Sequence, residues 1–164
     1  MSRRSFRIRR ATRKDVPAVL RLIRALARYE KLSSQVKATA PQLRKTLFGR
    51  SPGAEVLLAE RSGEVVGFAL YFHNYSTFLA RRGIYLEDLF VDRTARGLGI
   101  GKALFQAVGR TAVRRGCGRY EWSVLDWNQP AIDFYRRFGA VPMHDWSLFR
   151  LSGPALARMA SASA

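Results

Sequence analysis

The stretch Arg96-Gly97-Leu98-Gly99-Ile100-Gly101-Lys102 restricts this chain more than any other. It follows a near-continuous apolar run, Ile84-Tyr85-Leu86 and Leu89-Phe90-Val91, within a strand expected over Gly83 to Val91. Directly after it, Ile100, Ala103, Leu104, Ala107, Val108 and Ala112 recur at helical intervals up to Gly116. A buried strand thus passes through alternating glycines into an amphipathic helix. Glycines let backbone N–H groups approach an anion closely, and the helix N-terminus adds a favourable dipole. With Arg96 and Lys102 as cations at either end, the pattern predicts a diphosphate cradle. A glycine turn packed tightly against a sheet would share the pattern. A magnesium-holding phosphate loop is excluded, because Ala103 stands where such a loop needs Ser or Thr. The spacing also differs from the G-x-G-x-x-G dinucleotide fingerprint.

The remaining pattern predicts a mixed α/β domain. Ser5-Phe6-Arg7-Ile8-Arg9 alternates as a half-buried strand, and Thr12-Arg13-Lys14-Asp15 resembles a capping box. Val16, Val19, Leu20, Ile23, Leu26 and Ala27 then repeat at helical spacing, with arginines mostly opposite. A short helix is expected from Ala40 to Phe48, opened by Pro41 and closed by Gly49. Strands follow at Ala54–Glu60 and Val65–Phe72 around the turn Arg61-Ser62-Gly63-Glu64, and another at Tyr120–Leu125. Asn128–Phe138 reads as a helix with Asn128 as N-cap and Gly139 just past its end. Trp146–Leu151 is expected as a last strand, and the Ala-Ser-Ala-Ser-Ala end as frayed. One domain over residues 1–164 is the expectation, with an ordered core over about 5–151 and a tail over 152–164.

Charge enters because of its size. The chain has 164 residues, 29 Lys+Arg against 12 Asp+Glu and a net charge of +17, and 24 of the 29 are Arg. Residues 1–50 carry a net +13 and residues 51–164 a net +4. Such an excess favours polyanions, whether nucleic acid, anionic lipid or a phosphorylated small molecule, although a solvated basic surface would look the same. The longest uncharged run, Val65 to Ala80, is too short and too polar for a membrane span. No apolar stretch follows Met1 as a secretory signal would require, so a cytoplasmic location is expected. Cys117 alone cannot form an internal disulfide or a Cys-rich zinc cluster, and His73 and His144 are too isolated to suggest a metal.

Several ordered motifs carry a resemblance to a known family. Arg96-x-x-Gly99-x-Gly101, Trp127-Asn128-Gln129-Pro130-Ala131 and Phe134-Tyr135-Arg136-Arg137-Phe138-Gly139-Ala140 resemble the GNAT acetyltransferases. Tyr85-Leu86-Glu87-Asp88-Leu89-Phe90-Val91 and Arg28-Tyr29-Glu30 resemble their diamine and thialysine acetyltransferase branch. The similarity spans about Phe6 to Phe149. It implies a twisted mixed sheet flanked by helices, with two central parallel strands splayed to admit acetyl-CoA as cosubstrate, and no metal. It implies that Leu89, Phe90 and Val91 pair with the pantetheine arm. The pyrophosphate would lie on Arg96, Gly97, Leu98, Gly99, Ile100, Gly101 and Lys102, and Asn128, Gln129, Pro130 and Ala131 would contact the cofactor further along. A homodimer is implied as well.

Acetyl transfer to a primary amine poses two proton problems. An amine with a pKa of about 10.4 is protonated at neutral pH, and the departing thiolate needs a proton or an equivalent. Glu87 is the candidate base, in an otherwise apolar strand where desolvation would raise its pKa. A strand carboxylate paired with arginine would share that sequence context. Asp88 points to the other face of a regular strand and is the weaker candidate, unless a bulge changes the alternation. Tyr135 shares a helical face with Ala131, Phe134 and Phe138, so its ring is expected to be buried. The resemblance makes its hydroxyl the acid for the sulfur and makes Tyr29 and Glu30 substrate-binding. Cys117, with no His nearby in sequence, is expected to be non-catalytic. The three tryptophans are expected in the core or at its rim.

The acceptor is narrowed by absences. Ser33 and Ser34 stand where the polyamine branch has further acids, and Tyr75-Ser76-Thr77-Phe78-Leu79-Ala80-Arg81-Arg82 has none. The expectation is a small amino-acid-like amine ahead of a polyamine, by direct attack. A protein amine as acceptor, or a basic nucleic-acid-binding module, are the other readings.

Overall fold

A computed structural model of the chain describes residues 6–161. The described chain forms two compact units, divided between Ser123 and Val124.

The first unit is a five-stranded sheet in the order β1-β2-β3-β4-β5, with three helices. β1 (Phe6–Arg10), β2 (Glu55–Arg61), β3 (Glu64–Ser76) and β4 (Arg81–Val91) pair antiparallel in sequence. β5 (Tyr120–Trp122) joins β4 in parallel. Ser5, expected in the first strand, lies outside the described residues. The β2–β3 turn has Ser62 and Gly63 both at positive φ, 51° and 81°. That is the backbone twist a two-residue hairpin needs.

α1 (Val16–Tyr29) and α2 (Ala40–Phe48) cover one side of the sheet. The Thr12 N–H and hydroxyl both donate to Asp15 Oδ2, at 2.7 and 2.9 Å, and close the box ahead of α1. Val16, Val19, Leu20 and Leu22 pack with Leu43, Leu47, Leu58, Phe68 and Phe90 into one core. Leu22 is fully buried although the helical pattern omits it; Ile23 and Leu26 sit at the core margin. α3 (Ile100–Arg114) packs on β3 and β4, burying Ile100, Leu104, Phe105 and Val108.

The second unit holds α4 (Gln129–Arg136) and α5 (Gly153–Ser161). Asn128 caps α4, its Oδ1 accepting from the Ala131 N–H at 3.4 Å. Gly139, at φ 79°, follows the helix end. Two expectations fail here. Trp146–Leu151 forms no strand, because a strand needs an edge to bond to and this unit contains none. Ala155, Leu156, Ala157 and Met159, good helix formers behind Pro154, build α5 where a frayed tail was expected. Trp146 is largely exposed and Trp127 about half exposed. No helix among the described residues is long and apolar enough to cross a membrane.

Candidate active site

The site is set by where β4 loses a neighbour. β5 pairs with β4 only at Ile84↔Tyr120, Tyr85↔Glu121 and Leu86↔Trp122, while β4 continues to Val91. From Glu87 to Val91, β4 is held by β3 alone, with Leu89 opposite Ala69 and Phe90 opposite Phe68. The strand expected to reach Leu125 stops at Trp122, so the two parallel strands part as a splayed sheet requires.

β4 also carries a bulge at this place. Leu70 pairs with Asp88 but Tyr71 pairs with Leu86, leaving Glu87 as the extra residue. Leu70 packs on the α1–α2 core. Tyr71 faces the opposite side, where its hydroxyl reaches Glu55 at 3.4 Å beside Arg115, just past α3. Leu86 and Asp88 therefore lie on opposite faces despite being two residues apart. This corrects the regular-strand expectation for both carboxylates. Glu87 is exposed rather than desolvated, and the carboxyl drawn toward the interior is the half-buried Asp88. Burial first, then the negative charges of Glu87 and Glu30, push the Asp88 carboxyl up to about 7. Glu30 caps the C-terminal end of α1, where the helix dipole disfavours an anion, and burial raises its pKa as well. Glu30, Glu87 and Asp88 form no ion pair and no side-chain hydrogen bond among the described residues. Three carboxyls near one another with no cationic partner among the described residues concentrate negative charge at this end of α1.

The glycine turn lies past the end of β4. Gly97 and Gly99 have φ of 79° and 80°, a conformation that costs an L-residue about 1–2 kcal/mol. Gly101 differs: a Cβ there would meet only Val91 Cγ2, at 3.7 Å. The chain's own packing does not demand glycine at 101, whereas close approach of an anion to the first N–H groups of α3 does. These residues fit a diphosphate. Arg96 Nε donates to the Val91 carbonyl at 3.0 Å, and its guanidinium lies over the rings of Tyr29 and Phe90, 4.8 and 5.5 Å from their centroids. It ties the loop to the strand and to the end of α1, where Tyr29 and Glu30 sit.

In the second unit Tyr135 is half-buried rather than buried, its ring edge-on to Phe134 at 5.2 Å. Asn128 is buried, Ala131 half-buried, and Gln129 and Pro130 exposed.

One cluster was invisible in sequence. Arg115 donates to Glu55 through both terminal nitrogens, at 2.5 and 2.8 Å, and meets His73 Nε2 at 2.9 Å. His73 Nδ1 lies 2.9 Å from the Gly83 carbonyl and 3.9 Å from Cys117 Sγ. Arg115 and Cys117 are 42 and 44 positions from His73, and the packing of α3 on the sheet brings them together. With Nδ1 donating to Gly83 and Nε2 accepting from Arg115, the imidazole holds the sheet to the end of α3. No group of three potential metal ligands occurs among the described residues.

The chain is similar over nearly its whole length to known acetyltransferases. Residues 19–140 match the model of the Acetyltransferase (GNAT) family. A thialysine N-epsilon-acetyltransferase of Bos taurus is 42% identical, over 93% of this chain and 96% of the relative. An L-ornithine N5-acetyltransferase of Arabidopsis thaliana is 35% identical, over 92% and 86%. Among solved structures, an integron cassette protein from the mobile metagenome of V. cholerae superposes with a TM-score of 0.81 at 26% identity, covering 96% of this chain and 99% of the other. The parted strands, the glycine turn at the head of α3 and this full-length similarity agree, and the chain belongs to the GNAT family as an acetyl-CoA-dependent N-acetyltransferase.

Proposed function

We propose that the enzyme acetylates the primary amine of a small, amino-acid-like molecule. The carboxyl cluster of Glu30, Glu87 and Asp88 carries this reading, because a protonated amine is the ligand that such a cluster favours. Tyr29 lines the same end of α1. The thialysine and ornithine enzymes named above both act on amino-acid amines. A long polycation would need carboxylates spaced along its length. Residues 33–34 and 75–82 contain none, and a net charge of +17 opposes its approach.

Acetyl-CoA supplies the activated acetyl group. Leu89, Phe90 and Val91 hold the pantetheine arm, residues Arg96 to Lys102 hold the pyrophosphate, and Asn128 to Ala131 contact the cofactor further along. Glu87, exposed at the bulge, takes the ammonium proton directly or through water. Asp88, with a pKa near neutrality, steadies the cation beside it. The amine then attacks the thioester carbonyl directly, the C–S bond breaks, and the Tyr135 hydroxyl would give a proton to the departing sulfur and regain one from the second proton the nitrogen releases. These two roles rest on the motif positions of Glu87 and Tyr135. The two units work as one catalytic domain in the cytoplasm, within a homodimer. Val141, Met143, Trp146, Leu148 and Phe149 support the dimer, being exposed apolar side chains in sequence succession.

A screen of thialysine, ornithine, lysine, spermidine and a peptide amine, read by coenzyme A release, tests this reading. The amino-acid amines are expected to exceed spermidine in kcat/KM by about tenfold or more. Comparable values for spermidine, or a faster peptide amine, would overturn it.

A further inference from the structure

The first 50 residues hold 15 cations and two acids, and ten of the cations among the described residues fall into two groups. Arg7, Arg9, Arg10 and Arg21 pair with Glu60, Asp15, Glu55 and Asp92. Arg13, Lys14, Arg24, Arg28, Lys45 and Arg50 are exposed and form no ion pair among the described residues.

Three of them, Arg24, Arg28 and Lys45, lie on the outward side of the α1–α2 layer. Arg24 and Arg28 are one helical turn apart on α1, opposite the stripe that Val16, Val19 and Ile23 turn to the core, and α1 contains no acid. Arg13 and Lys14 lead into that helix. α2 buries Leu43 and Leu47 in the same core and leaves Lys45 outside. Both helices pack into the same core on one side of the sheet, and the exposed charged side chains within α1 and α2 are all cationic.

The chemistry of that surface selects its partner. Insertion into a bilayer needs apolar side chains on the basic face, but those of α1 and α2 are committed to the core. Among residues 6–50 the exposed large apolar side chain is Tyr29, and Arg96 lies over its ring. Stacking on single-stranded bases needs exposed aromatic platforms, which this face does not offer. What remains is a hydrated array rich in guanidinium groups, which match phosphate oxygens in fork geometry.

We propose that the outer surface of the α1–α2 layer docks the phosphate backbone of a nucleic-acid duplex without reading its sequence. Such docking is independent of which amine is acetylated and uses none of the acetyl-transfer residues.

Fluorescence anisotropy of the full chain with mixed-sequence DNA and RNA duplexes, across a salt series and under saturating acetyl-CoA, tests it. Binding is expected to survive acetyl-CoA and to weaken steeply with salt, by a log–log slope of about 0.9 per phosphate contacted. The variant Arg24→Glu/Lys45→Glu should bind about tenfold or more weakly at about 150 mM salt, with a slope lower by about two. The matched variant Arg110→Glu/Arg114→Glu alters the exposed side of α3 by the same charge and should stay within about threefold of wild type. Coenzyme A release by both variants, within about twofold of wild type, reports that they fold. Duplex type separates the sources: preference for RNA or for DNA names the partner. Equal weakening by both variants, loss of binding with acetyl-CoA, or equal affinity for anionic vesicles or polyglutamate would each overturn the proposal.

Discussion

Carboxylates at the β1 end of this sheet and at the end of α1 beside the β4 bulge have opposite surroundings. Near β1, Asp15, Glu55 and Glu60 are clamped by arginine. Arg9 bonds Asp15 through both terminal nitrogens at 2.9 and 2.8 Å and Glu60 through Nε at 2.8 Å; Arg115 and Arg10 hold Glu55. These contacts hold Asp15, Glu60 and Glu55 below the usual carboxylate range, the guanidinium hydrogen bond being the largest cause each time. Near the β4 bulge, Glu30, Glu87 and Asp88 lack any arginine, and Asp88 and Glu30 shift upward. Of the chain's 12 acids, the ion pairs among the described residues take up five, Asp15, Glu55, Glu60, Asp92 and Glu121, and what sets the three at the bulge apart is their closeness to one another. Acids that hold the fold together are neutralised internally, whereas the three carboxyls that the proposed function assigns to the amine are left with their charge unmet.

The largest effects should come from the unpaired end. Glu87→Gln is expected to lower kcat by about 100-fold or more while leaving acetyl-CoA protection against heat unchanged, since a general base contributes about that much. Unchanged turnover would move the base elsewhere. Asp88→Asn is expected to raise the KM for the amine about tenfold and to remove a limb near pH 7 from the rate profile, because the carboxyl titrating there is gone.

The two ends should also oppose each other in stability against pH. Asp88 has a folded pKa of about 7, raised above its unfolded value, so the native state binds the extra proton between about pH 4 and 7. Stability should therefore rise by about 2 kcal/mol as pH falls from 8 to 5, and Asp88→Asn should flatten that slope. Asp15 and Glu55 are lowered, so their contribution is complete above the unfolded carboxylate range and disappears as pH falls through their folded pKa values. Urea melts at several pH values check both signs. Asp15→Ala should cost about 1 kcal/mol through loss of the capping box and of its partner for Arg9. Smallest of all, Arg10→Ala should shift stability by about 0.5 kcal/mol or less, because that side chain is largely exposed.

Much of this was legible in the sequence, and the parts that were not share a cause. The α3 stripe, the capping box of Thr12 and Asp15, the Asn128 cap and the glycine turn are local, written in residues a few positions apart. Trp146–Leu151 misled because alternation states only that a segment can be a strand, not that an edge awaits it. The pairing of His73 with Arg115 depends on contacts dozens of residues apart.

By itself the sequence determined the order of elements, the glycine-to-helix junction and the excess of positive charge, because these follow from side-chain period, backbone freedom and counting. Only the tertiary structure decided which carboxyls meet an arginine and which do not. One bulged residue in β4 places Leu86 and Asp88 on opposite faces, and burial beside two like charges then carries Asp88 toward neutrality. Pairing register and burial are properties of strands and helices brought together, so no local run of residues records them.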